Sequence, residues 1–382
     1  MTPMTPLSRA ALSAVVLAAA ALTGALLSSL LAAGPLNPPA GAVTSTYKTL
    51  TEVEPRIAIN AANTPGDADS LFKITQPGSY YLTGNITGVP AKNGIEIAST
   101  GVSIDLGGFE LLGVAGSLRG ITNSVLIERT TIRNGTVRAW GSDGVGLSGN
   151  SYAGSIEGVD STGNAGDGIA AGNAWSVTRC SSFNNAGSGF RTPTATTFSD
   201  CQARDNTGAG FKMNIGCAVT NCTAVENGSS GFQCDFDSNS FFHCNAVQNL
   251  VGFSLGDKAL VSECVASQND TDGIRASDDC LIRGNNCTQN GIGAAGGAGI
   301  QVSGSDNRIE SNNCTDADRG IDIDGVGNII IKNTCSGNAT NWTIAASNAY
   351  GPIVATPPGA AVNGNTGVAA LGSTDPNANF SY

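Results

Sequence analysis

The stretches CQARDNTGAGFKM (residues 201–213) and CTAVENGSSGFQC (residues 222–234) indicate a repeat, because the second matches the first at a distance of 21 residues. Each contains a Cys-x-Ala-x-x-Asn motif and then a Gly-Phe pair. The motif recurs as Cys180-Ser182-Asn185, Cys201-Ala203-Asn206, Cys222-Ala224-Asn227, Cys244-Ala246-Asn249 and Cys264-Ala266-Asn269. A glycine followed by Ile, Val or Phe recurs at Gly94, Gly120, Gly144, Gly168, Gly189, Gly210, Gly231, Gly252, Gly273, Gly299 and Gly320. Such regular spacing indicates a repeat architecture.

A repeat of 21 residues is too short for two packed helices, but it fits three short strands and three turns. After each glycine, apolar positions alternate with mostly polar ones, as in a strand with one buried face. The inward positions are Ala171, Thr192, Met213, Cys234, Leu255, Ala276, Val302 and Ile323. We therefore predict an all-β, right-handed, single-stranded parallel β-helix of about eleven rungs, with 21–26 residues each.

Stacked rungs place like residues above one another, about 4.8 Å apart. The Cys column then forms an inward ladder with parallel Cβ directions, which is poor geometry for disulfides. We expect buried, free thiols that act as small hydrophobes. In later rungs the Cys moves to the Ala column, as in Asn285-Cys287-Asn290 and Asn333-Cys335-Asn338. The Asn column is expected to bond to turn backbone.

The rest of the chain suggests four segments. Residues 1–42 are predicted to be a signal peptide and the start of a linker, because an apolar, small-residue run follows Arg9. An uncleaved membrane anchor is the alternative. Residues 43–92 are predicted as an N-terminal cap, 93–340 as the β-helix, and 341–382 as a C-terminal tail or cap. We expect a secreted, periplasmic or cell-surface protein, with no membrane association after signal cleavage.

The charge balance argues against general affinity for nucleic acid or anionic lipid. The formal net charge is −11, and polyanions bind basic surfaces. An anionic substrate would have to be met by a local cluster of cations.

Three segments before the regular repeat suggest a relationship: LFKITQPGSYYL (71–82), GVSIDLGGF (101–109) and TIRNGTV (131–137). They resemble the opening of bacterial right-handed β-helix proteins with pectate-lyase-type repeats, and the resemblance covers roughly residues 70–340. It implies the fold, but the superfamily contains lyases, hydrolases, epimerases and non-catalytic proteins. The Gly-His-Gly motif of galacturonan hydrolases and the Asp-Pro-His-Asp motif of mannuronan epimerases are both absent, and His243 is the only histidine.

Two functions remain open. The first is an exported carbohydrate-active protein, with a polysaccharide lyase that acts on an acidic polysaccharide as the specific hypothesis. The second is a non-catalytic extracellular protein that is carbohydrate-binding, adhesive or structural. The regular rungs support the second, because they lack the long turn insertions that usually wall an active cleft.

The first candidate site lies in the outward column that follows each Gly-Phe or Gly-Ile pair. Arg191 and Lys212 fall on adjacent rungs of this column, and like charges side by side favour an anionic ligand. Both are predicted to be catalytic: the two cations would neutralise a uronate carboxylate, and Lys212 is a candidate base. The predicted substrate-binding residues are Asn214, Gln233, Asp235 and Arg275.

The second candidate is His243, which we also predict to be catalytic. Preserving the spacing of Cys244-Ala246-Asn249 requires a one-residue slip in this rung, and such a slip exchanges faces. Cys244 then points inward and His243 outward, in a column with Arg179, Asp200, Asn221 and Glu263. Imidazole titrates near neutrality, so His243 is a candidate acid or base.

Metal and cofactor requirements are weakly indicated. We predict no required cofactor and no metal site. Calcium is possible, because three Asp-x-Asp pairs supply hard oxygen ligands; they are Asp235-x-Asp237, Asp270-x-Asp272 and Asp322-x-Asp324. Asp322 and Asp324 also suit a glycosidase pair, which ranks below the lyase because their column has no cationic neighbour.

Overall fold

The computed structural model describes residues 55–147, 149, 151–292, 296–356 and 373–382. Every regular element in these ranges is a β-strand, and none of the described segments forms a helix long and apolar enough to cross a membrane. The predicted signal peptide, residues 1–42, lies outside the described residues.

One parallel sheet contains the strands that carry the repeated glycine, and we call it the glycine sheet. Among the described residues it has 13 strands in chain order. They are Ser70–Ile74, Asn93–Ile97, Ile121–Asn123, Val145–Gly146, Ile169–Ala170, Phe190–Thr194, Phe211–Ile215, Ser230–Cys234, Val251–Ser254, Ile274–Ala276, Ala298–Val302, Arg319–Ile323 and Thr340–Ile344.

The remaining two strands of each rung belong to a second parallel sheet, which has 26 strands in the described part of the chain. Its strands are Ile57–Ala58, Gly78–Tyr81, Ile86–Thr87, Val102–Asp105, Glu110–Leu112, Thr131–Arg138, Ser155–Thr162, Ser176–Thr178, Ser181–Phe183, Thr197–Ser199, Gln202–Arg204, Ala218–Thr220, Thr223–Val225, Ser240–Phe242, Asn245–Val247, Leu260–Ser262, Val265–Ser267, Leu281–Arg283, Asn286–Thr288, Arg308–Glu310, Asn313–Thr315, Ile329–Ile331, Thr334–Ser336, Ala349–Tyr350, Ile353–Ala355 and Asn379–Ser381. A small third sheet pairs Ile127–Glu128 with Ser151–Tyr152.

The three strands of a rung are joined by corners in which one residue has a left-handed backbone. In the rung that begins at Gly168 these residues are Ala174, Arg179 and Asn184, with φ of 55°, 51° and 56°. Single left-handed residues turn the chain sharply, so each rung closes into a coil that stacks on the previous one. Three strands and three turns per rung were predicted, and this is confirmed. The repeat continues one strand beyond the glycine signature at each end of the glycine sheet, because Ser70–Ile74 and Thr340–Ile344 pair in parallel with their neighbours.

The core is built from ladders of identical side chains. Phe190, Phe211, Phe232 and Phe253 stack on successive rungs, with ring centroids 4.7, 4.9 and 4.8 Å apart. All eleven cysteines are buried and free, in agreement with the expected thiol ladder. Cys287 lies beside Ala266 in register, so the predicted move of the Cys to the Ala column is confirmed.

The recurring Asn and Gly residues support each other. Asn206 donates from Nδ2 to Oδ1 of Asn227 on the next rung, at 3.0 Å, and to the backbone oxygen of Ser182, at 3.0 Å. A Cβ on Gly210 would lie 2.9 Å from Nδ2 of Asn227 and 2.7 Å from the oxygen of Gly231. The Asn ladder and the backbone of the next rung therefore leave room only for glycine at this position. The predicted Asn-to-backbone bonds are present, and Asn-to-Asn bonds accompany them.

Candidate functional site

One column of residues runs along the glycine sheet; its members from Arg191 to Gln301 are at least partly exposed, whereas Glu96, Thr122, Ala170 and Asp322 are buried. Its members are in register from rung to rung, in the order Lys73, Glu96, Thr122, Gly146, Ala170, Arg191, Lys212, Gln233, Ser254, Arg275, Gln301, Asp322 and Thr343. The expected adjacency of Arg191 and Lys212 is confirmed by their direct pairing. The column extends further toward the N-terminus than the repeat alone indicated.

Each predicted cation of this column has a carboxylate partner. Arg191 pairs with Asp167, Lys212 Nζ lies 3.4 Å from Asp235 Oδ2, and Arg275 lies 2.6 Å from Asp272. Arg191 and Lys212 therefore do not require an anionic ligand, because carboxylates of the protein already neutralise both.

The sequence did not single out Asp167, and it suggested Asp272 only as a calcium ligand, because both lie just before the repeated glycine and outside the column of the arginines. Oδ2 of each aspartate contacts the arginine, and Oδ1 accepts a hydrogen bond from a backbone N–H of the next rung. Asp167 accepts from Ser188 at 2.8 Å, and Asp272 accepts from Ala298 at 2.9 Å. These acids tie neighbouring rungs together as well as holding the arginine side chains.

The predicted substrate-binding residues Gln233 and Asp235 form a cluster with Lys212. Gln233 Nε2 donates to Asp235 Oδ1 at 2.7 Å, while the other oxygen of Asp235 faces Lys212. Asn214 lies on the preceding rung, and its backbone oxygen accepts a bond from Asn239. The structure therefore brings Lys212, Gln233 and Asp235 together, beside Asn214. Arg275 lies two rungs beyond Gln233, with Ser254 between them.

A one-residue bulge follows this cluster. In the rungs of Gly210 and Gly252, the next residue with a left-handed backbone comes six positions after the glycine, at Gly216 and Lys258. In the rung between them it comes seven positions after Gly231, at Ser238. Asn214 and Ile215 therefore face the three residues Asp235–Asp237. Bulges redirect side chains and occur often beside functional sites. This bulge is the origin of the slip inferred from the Cys spacing.

The bulge places Phe236 at the surface, a residue that sequence reasoning missed. Phe236 is 58% exposed and Ile215 is 44% exposed, whereas the ladder phenylalanines are buried. The amide of buried Asn239 donates to the backbone oxygens of Phe236, Asp237 and Asn214, at 2.9, 3.3 and 2.8 Å. The number of residues between Gly231 and Asn239 was a signal for the extra residue, although not for the direction of Phe236.

His243 lies at a corner of the second sheet, between Ser240–Phe242 and Asn245–Val247, and not on the glycine sheet. It is exposed and its Nε2 lies 2.9 Å from Glu263 Oε2, while Cys244 is buried. The predicted outward direction of His243 is confirmed. The topology nevertheless places it on a different face from Lys212, so the two predicted catalytic columns do not form one site.

A carboxylate cluster lies near the C-terminal end of the glycine sheet. Asp322 is only 1% exposed and pairs with Arg319, so it does have a cationic neighbour, although not in its own column. Burial, reinforced by the charge of Asp324, raises the pKa of Asp322. Asp324 in turn accepts from Gln301 at 3.2 Å. Across the described residues, no group of three or more His, Cys, Asp or Glu side chains is arranged to hold a metal ion.

A groove of about 380 Å³ lies over the N-terminal rungs of the glycine sheet, lined in part by Asn93, Glu96, Leu118, Arg119 and Thr122. Burial acts to raise the pKa of Glu96, but hydrogen bonds from Lys73, Ser124 and Ser70 outweigh it and lower the pKa. Glu96 therefore stays ionised, and Lys73 Nζ lies 2.6 Å from it. This groove was not predicted, because its rungs precede the regular 21-residue spacing.

Comparisons with known proteins agree with this architecture. Residues 85–251 match the family model of the right-handed β-helix region. The Dettilon tailspike protein is similar at 16% identity and a TM-score of 0.50, over 73% of this chain and 61% of that one. The mannuronan C-5 epimerase AlgE4 A-module of Azotobacter vinelandii has 14% identity and a TM-score of 0.46, over 77% and 87% of the two chains. The pectate lyase Pel9A has 16% identity and a TM-score of 0.36, over 71% and 76%.

No curated protein sequence matches the chain. The fold, its repeat and the matching region together define the class: this chain is a right-handed parallel β-helix protein. At 16% identity the likeness to the Dettilon tailspike protein shows the fold alone.

Proposed function

We propose that this chain is an exported β-helix protein that binds a polysaccharide along the outer face of the glycine sheet. The proposal rests on six polar side chains that lie in register on successive rungs and are all at least partly exposed: Arg191, Lys212, Gln233, Ser254, Arg275 and Gln301. These side chains repeat at the rung spacing of about 4.8 Å. A linear polymer of sugar units would meet hydrogen-bonding groups at regular intervals along such a column. Export rests on the predicted signal peptide.

Binding without catalysis is the better supported of the two functions that the sequence left open. A lyase needs unpaired positive charge to neutralise a uronate carboxylate, yet Arg191, Lys212 and Arg275 each face a carboxylate of the protein. A base must also lie within reach of the same substrate, and His243 lies on another face of the coil. Paired, half-exposed side chains suit hydrogen bonding to hydroxyl groups instead.

A polysaccharide lyase that acts on an acidic polymer is the second candidate. It is favoured by the direct pairing of Arg191 with Lys212 across adjacent rungs. A uronate bound over both residues could displace Asp167 and Asp235 from them. Lys212 would then be the candidate base.

A panel of acidic and neutral polysaccharides separates these functions. Binding is measured by affinity electrophoresis, while lyase activity is followed as the absorbance of new unsaturated uronate. We expect binding to at least one polymer without any product. If product does form, Lys212→Ala should lower its rate by more than about 100-fold, with His243→Ala as the matched control on the other face. Failure to bind any polymer would overturn the proposed function.

A further inference from the structure

We propose that Phe236, with Ile215 beside it, is a stacking platform for an uncharged pyranose unit of the bound polysaccharide. This inference rests on the proposed function and deepens it, because it names the kind of sugar and the residue that selects it. The platform is defined as Phe236 and Ile215 together.

The platform is held in place by the bulge. The three hydrogen bonds from Asn239 fix the backbone on both sides of Phe236. A Cβ on Gly256 of the next rung would overlap the backbone oxygen of Phe236, so glycine is required there for the bulge to pack. An exposed aromatic ring on a rigid backbone loses little conformational freedom when a ligand binds.

Polar groups flank the platform on both sides, and their charges cancel. On one side Lys212 faces Asp235, which also accepts from Gln233. On the other side Lys258 Nζ lies 3.8 Å from Asp237 Oδ2. An anionic or cationic ligand would gain no net attraction from these pairs. They nevertheless offer donors and acceptors to the hydroxyl groups around a sugar ring.

The chemistry of the platform matches the apolar face of a pyranose. The face of an aromatic ring carries partial negative charge and attracts the partly positive C–H groups of the sugar, in addition to the gain from burying apolar surface. Two side chains also form too small a patch for a protein partner, since a stable interface buries about 800 Å² on each side. A single sugar unit is therefore the occupant that fits.

The experiment uses three neutral probes, namely hexamers of β-1,4-linked glucose, mannose and galactose, with polygalacturonate as the acidic probe. Isothermal titration is carried out with the wild type, Phe236→Ala, and Tyr350→Ala as the matched control, because Tyr350 is 56% exposed and lies on the second sheet. We expect at least one neutral hexamer to bind, Phe236→Ala to weaken it roughly tenfold, and Tyr350→Ala to leave it unchanged.

Phe236→Trp supplies a second readout that does not depend on loss of function. Trp140 and Trp175 are buried and Trp342 is partly buried, so a more exposed tryptophan at position 236 should add red-shifted emission, absent from the wild type, that moves to the blue when the hexamer binds. Neutral hexamers that bind Phe236→Ala as tightly as the wild type, or binding of polygalacturonate alone, would overturn the platform while leaving polysaccharide binding intact. Absence of binding to every polymer would overturn both.

Discussion

Asn185 and Asn206 lie on successive rungs, and Oδ1 of Asn206 accepts two hydrogen bonds from Asn185. The side-chain Nδ2 donates at 2.9 Å and the backbone N–H donates at 3.1 Å. The same relationship joins Asn206 to Asn227, and Asn227 to Asn249. Each buried Asn side chain therefore accepts from a backbone N–H and a side-chain N–H of the preceding rung. The ladder thus holds successive rungs together.

Removal of one member should leave several buried groups without partners. We expect Asn206→Ala to destabilise the protein by about 2–5 kcal/mol, because each unsatisfied buried polar group costs about 1–3 kcal/mol. Urea unfolding followed by circular dichroism measures the change. Asn245→Ala is the control, since Asn245 is exposed on a strand, and it should change stability by less than about 0.5 kcal/mol. Equal effects of the two substitutions would contradict the structural role of the ladder.

The repeated glycine should tolerate no side chain. We expect Gly210→Ala to cost about 1–3 kcal/mol through overpacking, because its Cβ would meet Gly231, Ala224 and Asn227 at 2.7–2.9 Å. Thermal unfolding is the measurement. Gly84→Ala is the matched control, since no atom lies within 4 Å of its added Cβ. A Gly210→Ala protein as stable as the control would show that rung spacing does not require glycine here.

The buried cysteines should not react with alkylating reagents while the protein is folded. All eleven thiols are buried, which keeps alkylating reagents away from them. Burial also raises the pKa of Cys280 to about 11 and raises that of Cys217, whereas the hydrogen bond with Cys244 lowers the pKa of Cys264, so that thiol is protected by lack of access alone. Only the thiolate reacts readily with alkylating reagents. We expect no modification of the eleven cysteines by iodoacetamide at pH 8, and complete modification in guanidinium chloride, as counted by mass spectrometry. Rapid labelling of any cysteine before unfolding would contradict the packing.

Asp322 should make stability depend on acidity in a defined direction. Its pKa is raised above the ordinary 3.8 by burial and by Asp324, so the folded protein holds a proton that the unfolded chain has lost. The contribution of Asp322 to the free energy of unfolding is therefore fully present below pH 3.8, and it is lost as the pH rises through the raised pKa of the folded protein. Relative to Asp322→Asn, the wild type should lose stability between pH 3 and pH 7 in urea titrations. If the wild type instead becomes more stable relative to Asp322→Asn over this range, the attraction between Arg319 and the ionised carboxylate outweighs the effect of burial.

Much of the fold could be predicted because each rung repeats the same local requirements. Gly210 and Asn227 are needed together, so both appear at the same spacing in the sequence. The first and last rungs of the glycine sheet escaped this reasoning, since Ser70–Ile74 and Thr340–Ile344 begin without the glycine. They are stabilised by pairing with a neighbour, and that pairing leaves no fixed motif in the sequence.

The site was less predictable because it depends on which side chains meet across rungs. The adjacency of Arg191 and Lys212 followed from the repeat, but their pairing with Asp167 and Asp235 depends on side-chain directions that the repeat does not specify. The position of His243 followed from counting residues around Cys244. The same count implied an extra residue before Asn239, but only the backbone geometry shows that it turns Phe236 to the surface.

Hydroxyl-radical footprinting of the protein with and without a bound polysaccharide shows which face of the coil binds the polymer. Oxidation is mapped by mass spectrometry at exposed side chains on both sheets. If the glycine sheet is the binding face, Phe236 and Ile215 will be protected by the ligand, while Tyr350 and His243 will be oxidised equally in both samples. Protection of Tyr350 or His243, with Phe236 unchanged, would show that the polysaccharide binds the second sheet and not the glycine sheet.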